Sequence, residues 1–255
     1  MDVTIVGCSG SFAGPDSPAS SYLVRTEHEG RTWSIVLDLG NGALGQLQRH
    51  MRPHDVDAYF ISHLHVDHCI DICGLYVMMK YVPGGHGRDV MPVWGPTGTG
   101  RHLRRAYGNV DSEDLCGTFD FSDLIDRRPV VVGPFTVTPF RVNHPVETYG
   151  FRVEADGRVL AYTGDTDTCD ALTPLMTGAE LVLADAAFID GRDPLPDVHL
   201  SGRRAAEAAI RAGGVQRLML THLPAWNDPE VCRAQAAAVW PDEVEVAKPG
   251  MTYAV

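Results

Sequence analysis

Positive charge is scarce in this chain. It carries 21 Lys and Arg against 33 Asp and Glu, a formal net charge of −12 over 255 residues. A broad platform for nucleic acid is built from Lys and Arg, so the balance argues against a nucleic-acid partner. A small anionic substrate stays open, because bound metal would dominate the local field. Long apolar runs are missing too. None approaches the roughly 20 residues of a bilayer-spanning helix, so no membrane partner is expected. The opening Met1-Asp2-Val3-Thr4-Ile5-Val6-Gly7 lacks the basic and apolar regions of a secretory signal. Cysteine is sparse: Cys8, Cys69, Cys73, Cys116, Cys169 and Cys232 are scattered, unlike a disulfide scaffold. Reduced thiols in a cytoplasmic protein are the expectation. Cys69 and Cys73, four apart, read as small buried hydrophobes on one helix face. No internal repeat or linker interrupts the chain. Residues 1–255, 44% hydrophobic, are expected to form a single domain.

What is present is a series of strands with helices between them. Strands are read at Asp2–Gly7, Tyr22–Thr26, Trp33–Leu37, Ala58–Ile61 and Met91–Trp94. A second run covers Val130–Val132, Phe135–Val142, Tyr149–Glu154, Val159–Thr163, Glu180–Leu183 and Arg217–Thr221, with two short strands closing the chain. Helices are read after the turn Asp38–Gly42, ending near Met51, and over Cys69–Met79, Gly100–Tyr107, Ser201–Ala212 and Pro229–Val239. Tyr81–Asp89 reads as a loop. Ser201 is a helix cap, Gly213-Gly214 a stop, and Ala205, Ala206, Ala209 and Ile210 share one side. This order is α+β, a layered α/β arrangement, and not an all-parallel sheet. Two packed sheets with helices outside satisfy it.

The densest chemistry lies in His63-Leu64-His65-Val66-Asp67-His68, three imidazoles and a carboxylate within six residues. An apolar strand precedes it and an apolar helix follows, so it occupies a strand-to-helix turn. Neutral imidazole and carboxylate are good ligands for first-row metals. His63 and His65 project from one face as the strand ends, and Asp67 and His68 lie past the turn. One ion needs only three or four ligands, so the stretch points to two ions. His144, Asp165 and His222 each stand where a strand gives way to a loop, and His199 precedes the Ser201 cap. Six of the eleven histidines fall in this pattern. His28, His50, His54, His86 and His102 sit in polar contexts and are given no role.

Together these residues resemble the metallo-β-lactamase superfamily of dinuclear metallohydrolases, over nearly the whole chain. Tyr162-Thr163-Gly164-Asp165-Thr166 and His199-Leu200-Ser201 resemble its phosphodiesterase branch, which contains ribonuclease Z and bacterial cyclic nucleotide phosphodiesterases. Val6-Gly7-Cys8-Ser9-Gly10-Ser11, Gly14-Pro15-Asp16-Ser17-Pro18-Ala19-Ser20 and Leu218-Met219-Leu220-Thr221-His222-Leu223-Pro224 are similar to the atypical class II-like cyclic AMP phosphodiesterases. The resemblance implies a four-layer αββα sandwich of two mixed β-sheets flanked by helices. It implies that His63, His65 and His144 hold one metal, that Asp67, His68 and His222 hold another, and that Asp165 bridges them. His199 then stays off the metals and works on the substrate. Asp185 stands where relatives commonly carry Glu, as the residue that would orient His199. Zn²⁺ is the first expectation for both ions, with Mn²⁺ or Fe²⁺ as alternatives. A hydroxide between the ions would attack phosphorus, with Asp67 helping to orient it and His199 donating a proton to the departing oxygen. Phe12 and Trp226, in loops beside these residues, are candidates to stack on a base. A homodimer is what the family implies.

The leading expectation is hydrolysis of a small phosphodiester, 3′,5′-cyclic AMP first. A ribonuclease Z-like tRNA 3′-processing endonuclease is the nearest rival. That enzyme usually carries a tRNA-gripping arm between the residues matching His144 and Asp165. Only twenty residues separate them here, and two strands and a turn already use them. A lactonase or thioesterase could work with the same metals, and fold alone does not choose.

Overall fold

The computed structural model describes residues 1–85, 87, 90–108 and 114–255, with only the backbone of 114 and 116. His86, the loop end Arg88-Asp89 and the Cys116 thiol lie outside the described residues. The first half gives β1 (Asp2–Gly7), β2 (Ser21–His28), β3 (Arg31–Leu37), α1 (Ala43–Leu47), β4 (Ala58–Phe60), α2 (Val66–Cys69), α3 (Ile72–Tyr81), β5 (Met91–Gly95), α4 (Thr99–Tyr107), α5 (Asp114–Thr118) and β6 (Phe119–Asp123). The second gives β7 (Val130–Val132), β8 (Phe135–Arg141), β9 (Tyr149–Ala155), β10 (Arg158–Tyr162), α6 (Leu172–Met176), β11 (Leu181–Asp185), α7 (Gly202–Ala212), β12 (Leu218–Thr221), α8 (Pro229–Ala237), β13 (Val244–Val246) and β14 (Thr252–Ala254).

Local chemistry sets several boundaries. Ser201 caps α7, its Oγ accepting from the Arg204 amide at 3.3 Å, and Gly213 ends the helix at φ 75°. Asp228 caps α8, with Pro229 in the first turn, where its missing N–H is harmless. Ala205, Ala206, Ala208 and Ala209 form the buried side of α7. Ile210, placed there by spacing, is 48% exposed instead. The helix expected from Cys69 already starts at Val66 and breaks before Ile72, so Asp67 and His68 lie inside its first turn. The helix after Gly42 is shorter than read and stops at Leu47.

One sheet runs β14-β1-β2-β3-β4-β5-β6, the other β13-β12-β11-β10-β9-β8-β7. Both are mixed. In the first, β14 to β3 pair antiparallel and β3 to β6 parallel. In the second, β7 to β10 pair antiparallel and β10 to β13 parallel. Strand alternation sorts the faces. Val24, Ile35, Leu37 and Phe60 meet Phe135, Val137, Phe151 and Leu160 between the sheets. Leu23, Val36 and Tyr59 face the other way, onto Ile72, Leu75 and Met79 of α3 and Leu103 of α4. The outer face of the second sheet, with Ala161, Val182 and Leu220, is covered by α6, α7 and α8. The result is the four-layer αββα sandwich of two mixed β-sheets. Truncating a central side chain such as Phe60 to Ala would cost about 3–5 kcal/mol. Among the described residues, no helix is long and apolar enough to cross a membrane. The segments leaving β4, β8, β10 and β12 meet at one edge of the sandwich.

Candidate metal centre

Asp38 organises the first ligand loop from behind. It follows β3, is fully buried, and adopts φ 60°, a left-handed conformation that Asp tolerates better than most residues. Its carboxylate accepts from the Ser62 amide at 2.6 Å, Ser62 Oγ at 2.8 Å and Tyr162 OH at 2.8 Å. It also accepts from His68 Nδ1 at 2.7 Å, which turns His68 Nε2 away toward the cluster. The same logic fixes the other rings. His144 Nδ1 donates to the Val198 carbonyl at 2.8 Å. Ser62 Oγ, having given its proton to Asp38, accepts from His63 Nδ1 at 3.1 Å. The Ser11 amide donates to His222 Nε2 at 3.3 Å, so the ring proton is on Nδ1, 3.0 Å from Ser20 Oγ. His68, His144 and His63 each keep the Nε2 lone pair for the interior, and His222 aims its Nε2 there beside the Ser11 amide.

Those lone pairs converge. His63, His65, His144 and Asp165 form one group, and Asp67, His68, Asp165 and His222 a second; within each, candidate ligand atoms lie within 4.8 Å of one another. Asp165 belongs to both. His65 Nδ1 lies 2.9 Å from His63 Nε2 and 3.3 Å from His144 Nε2. One proton cannot satisfy three nitrogens; a cation can. In the second group His68 Nε2 stands 3.2 Å from Asp165 Oδ1 and 3.4 Å from Asp67 Oδ2. His222 Nε2 is 3.2 Å from Asp165 Oδ2 and 3.8 Å from Asp67 Oδ2. His68 Nε2 and Asp165 Oδ1 are buried yet make no hydrogen bond, although such atoms are nearly always paired. Imidazole nitrogens with carboxylate oxygens suit Zn, Mn and Fe. The residues fit two divalent ions.

A third set, Asp165, Asp185 and His199, is also close enough to hold an ion, but Asp185 is occupied. It accepts from the Thr166 amide at 3.1 Å, the Ala187 amide at 3.0 Å and His199 Nδ1 at 2.9 Å. The shorter Asp therefore still reaches His199. His199 Nδ1 is 4.0 Å from Asp165 Oδ2, and its Nε2 is left for the cleft.

Electrostatics divide the rings into two kinds. Burial lowers the pKa of His63, His65, His144 and His222, more strongly than the nearby carboxylates raise it. These four are neutral, the form that ligates. Burial also opposes charge on His68, but Asp165, Asp38 and Asp67 outweigh it and raise its pKa; a point that draws a proton also draws a cation. Burial pushes Asp67 up, yet His68 and His222 hold it at about 2. His199 rises to about 9: burial opposes its charge, and Asp185 is the strongest of the groups that favour it.

An open cleft of about 520 Å³ lies over the cluster, with Ser11, His65, Asp67, His144, Asp165 and His199 in its walls. Neither Lys nor Arg lines it among the described residues. Phe12 and Trp226 are 37% and 64% exposed, with ring centroids 4.8 Å apart. They sit on the two loops that flank His222 but outside the cleft walls. His222 itself adopts φ 57°, and a Cβ on Gly10 would lie 2.2 Å from its carbonyl oxygen, so these loops are pressed together. Asp38, Ser62, Tyr162, Ser20 and the Val198 carbonyl were not singled out from the sequence. Their only signal is position beside the ligands, Tyr162 at the end of β10 and the others in the segments between strands.

Comparison with known proteins points to one family. The family described as beta-lactamase superfamily domain matches residues 33–223. An uncharacterized protein of Mycobacterium tuberculosis is 40% identical over 99% of this chain and 92% of its own length. Probable metallo-hydrolase YhfI of Bacillus subtilis is 28% identical over 99% of each chain. The crystal structure of YhfI, a metallo-beta-lactamase fold protein, matches with a TM-score of 0.84 at 27% identity, covering 99% of both. Ribonuclease Z of Mycobacterium bovis is 28% identical over 96% of this chain and 95% of its own.

Proposed function

The chain belongs to the beta-lactamase superfamily, a metal-dependent hydrolase by that kinship, and on this premise we propose that it hydrolyses a small phosphodiester, 3′,5′-cyclic AMP first. The observation that carries the reading is Asp165, shared by two ligand groups, with His199 held beside it by Asp185. His63, His65 and His144 would hold one divalent ion and Asp67, His68 and His222 the other, with Asp165 between them. Zn²⁺ is the first candidate, ahead of Mn²⁺ and Fe²⁺. When bound, such a pair supplies Lewis acidity and a water of lowered pKa.

The side chains do the rest. Asp67, ionised and at the cleft wall, orients the attacking water toward phosphorus. His199 enters protonated and gives its Nε2 proton to the ribose oxygen as the P–O bond breaks. One water is consumed and one phosphomonoester forms. Asp185 keeps Nδ1 engaged, so the proton delivered is the one facing the cleft. Phe12 and Trp226, their rings tilted 46° to each other, offer an aromatic face near the cleft for a base.

Ribonuclease Z-like processing of tRNA is supported by the Mycobacterium bovis relative. Against it, residues 149–162 are spent on β9 and β10, leaving no arm there, and the net charge is −12. A panel of cyclic AMP, cyclic GMP, 2′,3′-cyclic nucleotides, an aryl diester, a lactone and a precursor tRNA, run beside a metal assay, tests the reading. Cyclic AMP turnover dependent on divalent metal is expected. Turnover of the lactone or the tRNA alone would overturn it. His199→Ala should cut turnover at least 100-fold, about the contribution of one general acid, with metal content intact; equal loss of both would make His199 a ligand.

A further inference from the structure

Three segments carry the groups that must meet around Asp165: the one ending in His144, the one after Asp165, and the one leading to His199. They are tied at a single point. The Asp167 amide donates to the Asn143 carbonyl at 2.8 Å. Asn143 Nδ2 donates to Asp197 Oδ1 at 2.8 Å. The Asp197 amide donates back to Asp167 Oδ2 at 2.9 Å. The three residues thus close a hydrogen-bonded ring. Each lies within two positions of a group at the candidate centre: Asn143 beside His144, Asp167 beyond Asp165, Asp197 before His199.

Asp167 is the anchor of the ring. It is buried, also accepts from the Thr168 amide at 2.7 Å, and pairs with Arg204 on α7. Asp197 adopts φ 63°, a left-handed turn that Asp, like Asn, takes more readily than most residues. That turn sends the chain back so that the Val198 carbonyl meets His144 Nδ1 and His199 reaches Asp185. Neither Asp167 nor Asp197 lines the cleft.

We propose that Asp167 is a positioning residue: through the ring with Asn143 and Asp197 it sets the reach of His199, and the orientation of His144, toward Asp165. This rests on the phosphodiesterase reading for its kinetic test, but not for its structural one. Losing an outer support of this kind typically costs 10–100-fold in activity or metal affinity. Asp167→Ala opens the ring. Asp167→Asn keeps the acceptor for the Asp197 amide. Asn143→Ala removes the exposed limb alone.

The experiment combines steady-state kinetics at saturating Zn²⁺ with amide hydrogen exchange. Asp167→Ala is expected to lower kcat by about 10-fold or more at little-changed KM, and Asp167→Asn to recover most of it. Exchange should quicken at residues 197–200 in Asp167→Ala while β10 and β11 stay protected. Wild-type kcat in Asp167→Ala, or failure of Asp167→Asn to recover, overturns the proposal. If Asp167→Ala does not fold, Asn143→Ala must show the same local exchange, and its absence overturns the proposal equally. Should the wild-type protein cleave no phosphodiester, the functional reading fails by itself, and exchange at 197–200 still decides for or against the ring.

Discussion

Replacing Gly40 by Ala should disable the site while sparing the core. Gly40 follows Asp38 in the turn after β3, and its backbone conformation is open to any residue; what forbids a side chain is space. An added Cβ would lie 1.9 Å from the Asp67 carbonyl oxygen and 2.5 Å from its carbon. Real Cβ contacts stay beyond 3.0 Å, so the backbone must give by about 1.1 Å. The yielding part is the segment that carries Asp67 and His68, which is stitched to this turn through Leu39 N to His68 O at 2.7 Å and Asp71 N to Leu39 O at 3.1 Å. A displacement near 1 Å costs roughly 100-fold in rate, and forced overpacking costs about 1–3 kcal/mol of stability. Gly45→Ala is the control. It is an exposed position of α1 with nothing within 4 Å of the new Cβ and should stabilise by about 0.5–1 kcal/mol. Steady-state kinetics, elemental analysis of bound metal and thermal melts measure all three quantities. Wild-type kcat and full metal content in Gly40→Ala would refute the argument that this close approach sets the position of Asp67 and His68.

Other outcomes follow from the same geometry. His199 has a pKa raised from 6.5 to about 9, so its charge favours the fold fully below pH 6.5 and ceases to as pH passes about 9. Activity that needs this proton fades on the alkaline side, and Asp185→Asn should shift that limb to lower pH; an unmoved limb would detach Asp185 from the reaction. Adding Zn²⁺ to chelator-treated protein should raise its melting temperature, since ligand at about 1,000 times Kd stabilises by about 4 kcal/mol; an unchanged melt would mean that the cluster binds no ion. Trp226→Ala, at a 64% exposed position, should leave stability within about 0.5 kcal/mol. It should raise KM for a nucleotide about 10-fold, from lost stacking, and leave an aryl diester unaffected. An equal rise for both substrates would count against base stacking.

The sandwich and most strands were legible because β2 and β3 carry short apolar runs and alternating burial writes a period of two into β8 and the end of β9. Phe119–Asp123 was not read, since this edge strand of Phe, Asp, Phe, Ser and Asp buries only Phe119 and leaves the rest half-buried or exposed. Leu172–Met176 is too short for a helical period to show. The six-residue histidine stretch announced itself by local density. Asp38 did not: in Asp-Leu-Gly-Asn-Gly it reads as an ordinary turn residue. Its role depends on Ser62, His68 and Tyr162, which are 24, 30 and 124 positions away. Asp167 was hidden for the same reason, its partners lying 24 and 30 residues off. Phe12 and Trp226 lie beside the site by their loops, but that their rings touch and stand back from the cleft is set by the fold and not by loop order.

Candidate ligands come from both halves of the molecule: His63, His65, Asp67 and His68 ride on the sheet that begins the chain, His144, Asp165 and His222 on its mate. Ions seated there would act as rivets through the seam. Metal occupancy and the cohesion of the two halves would then be one thermodynamic quantity, read from either side. A chelator would work as a selective solvent for the joint, and any change that pries the halves apart would bleed metal before it melts a strand.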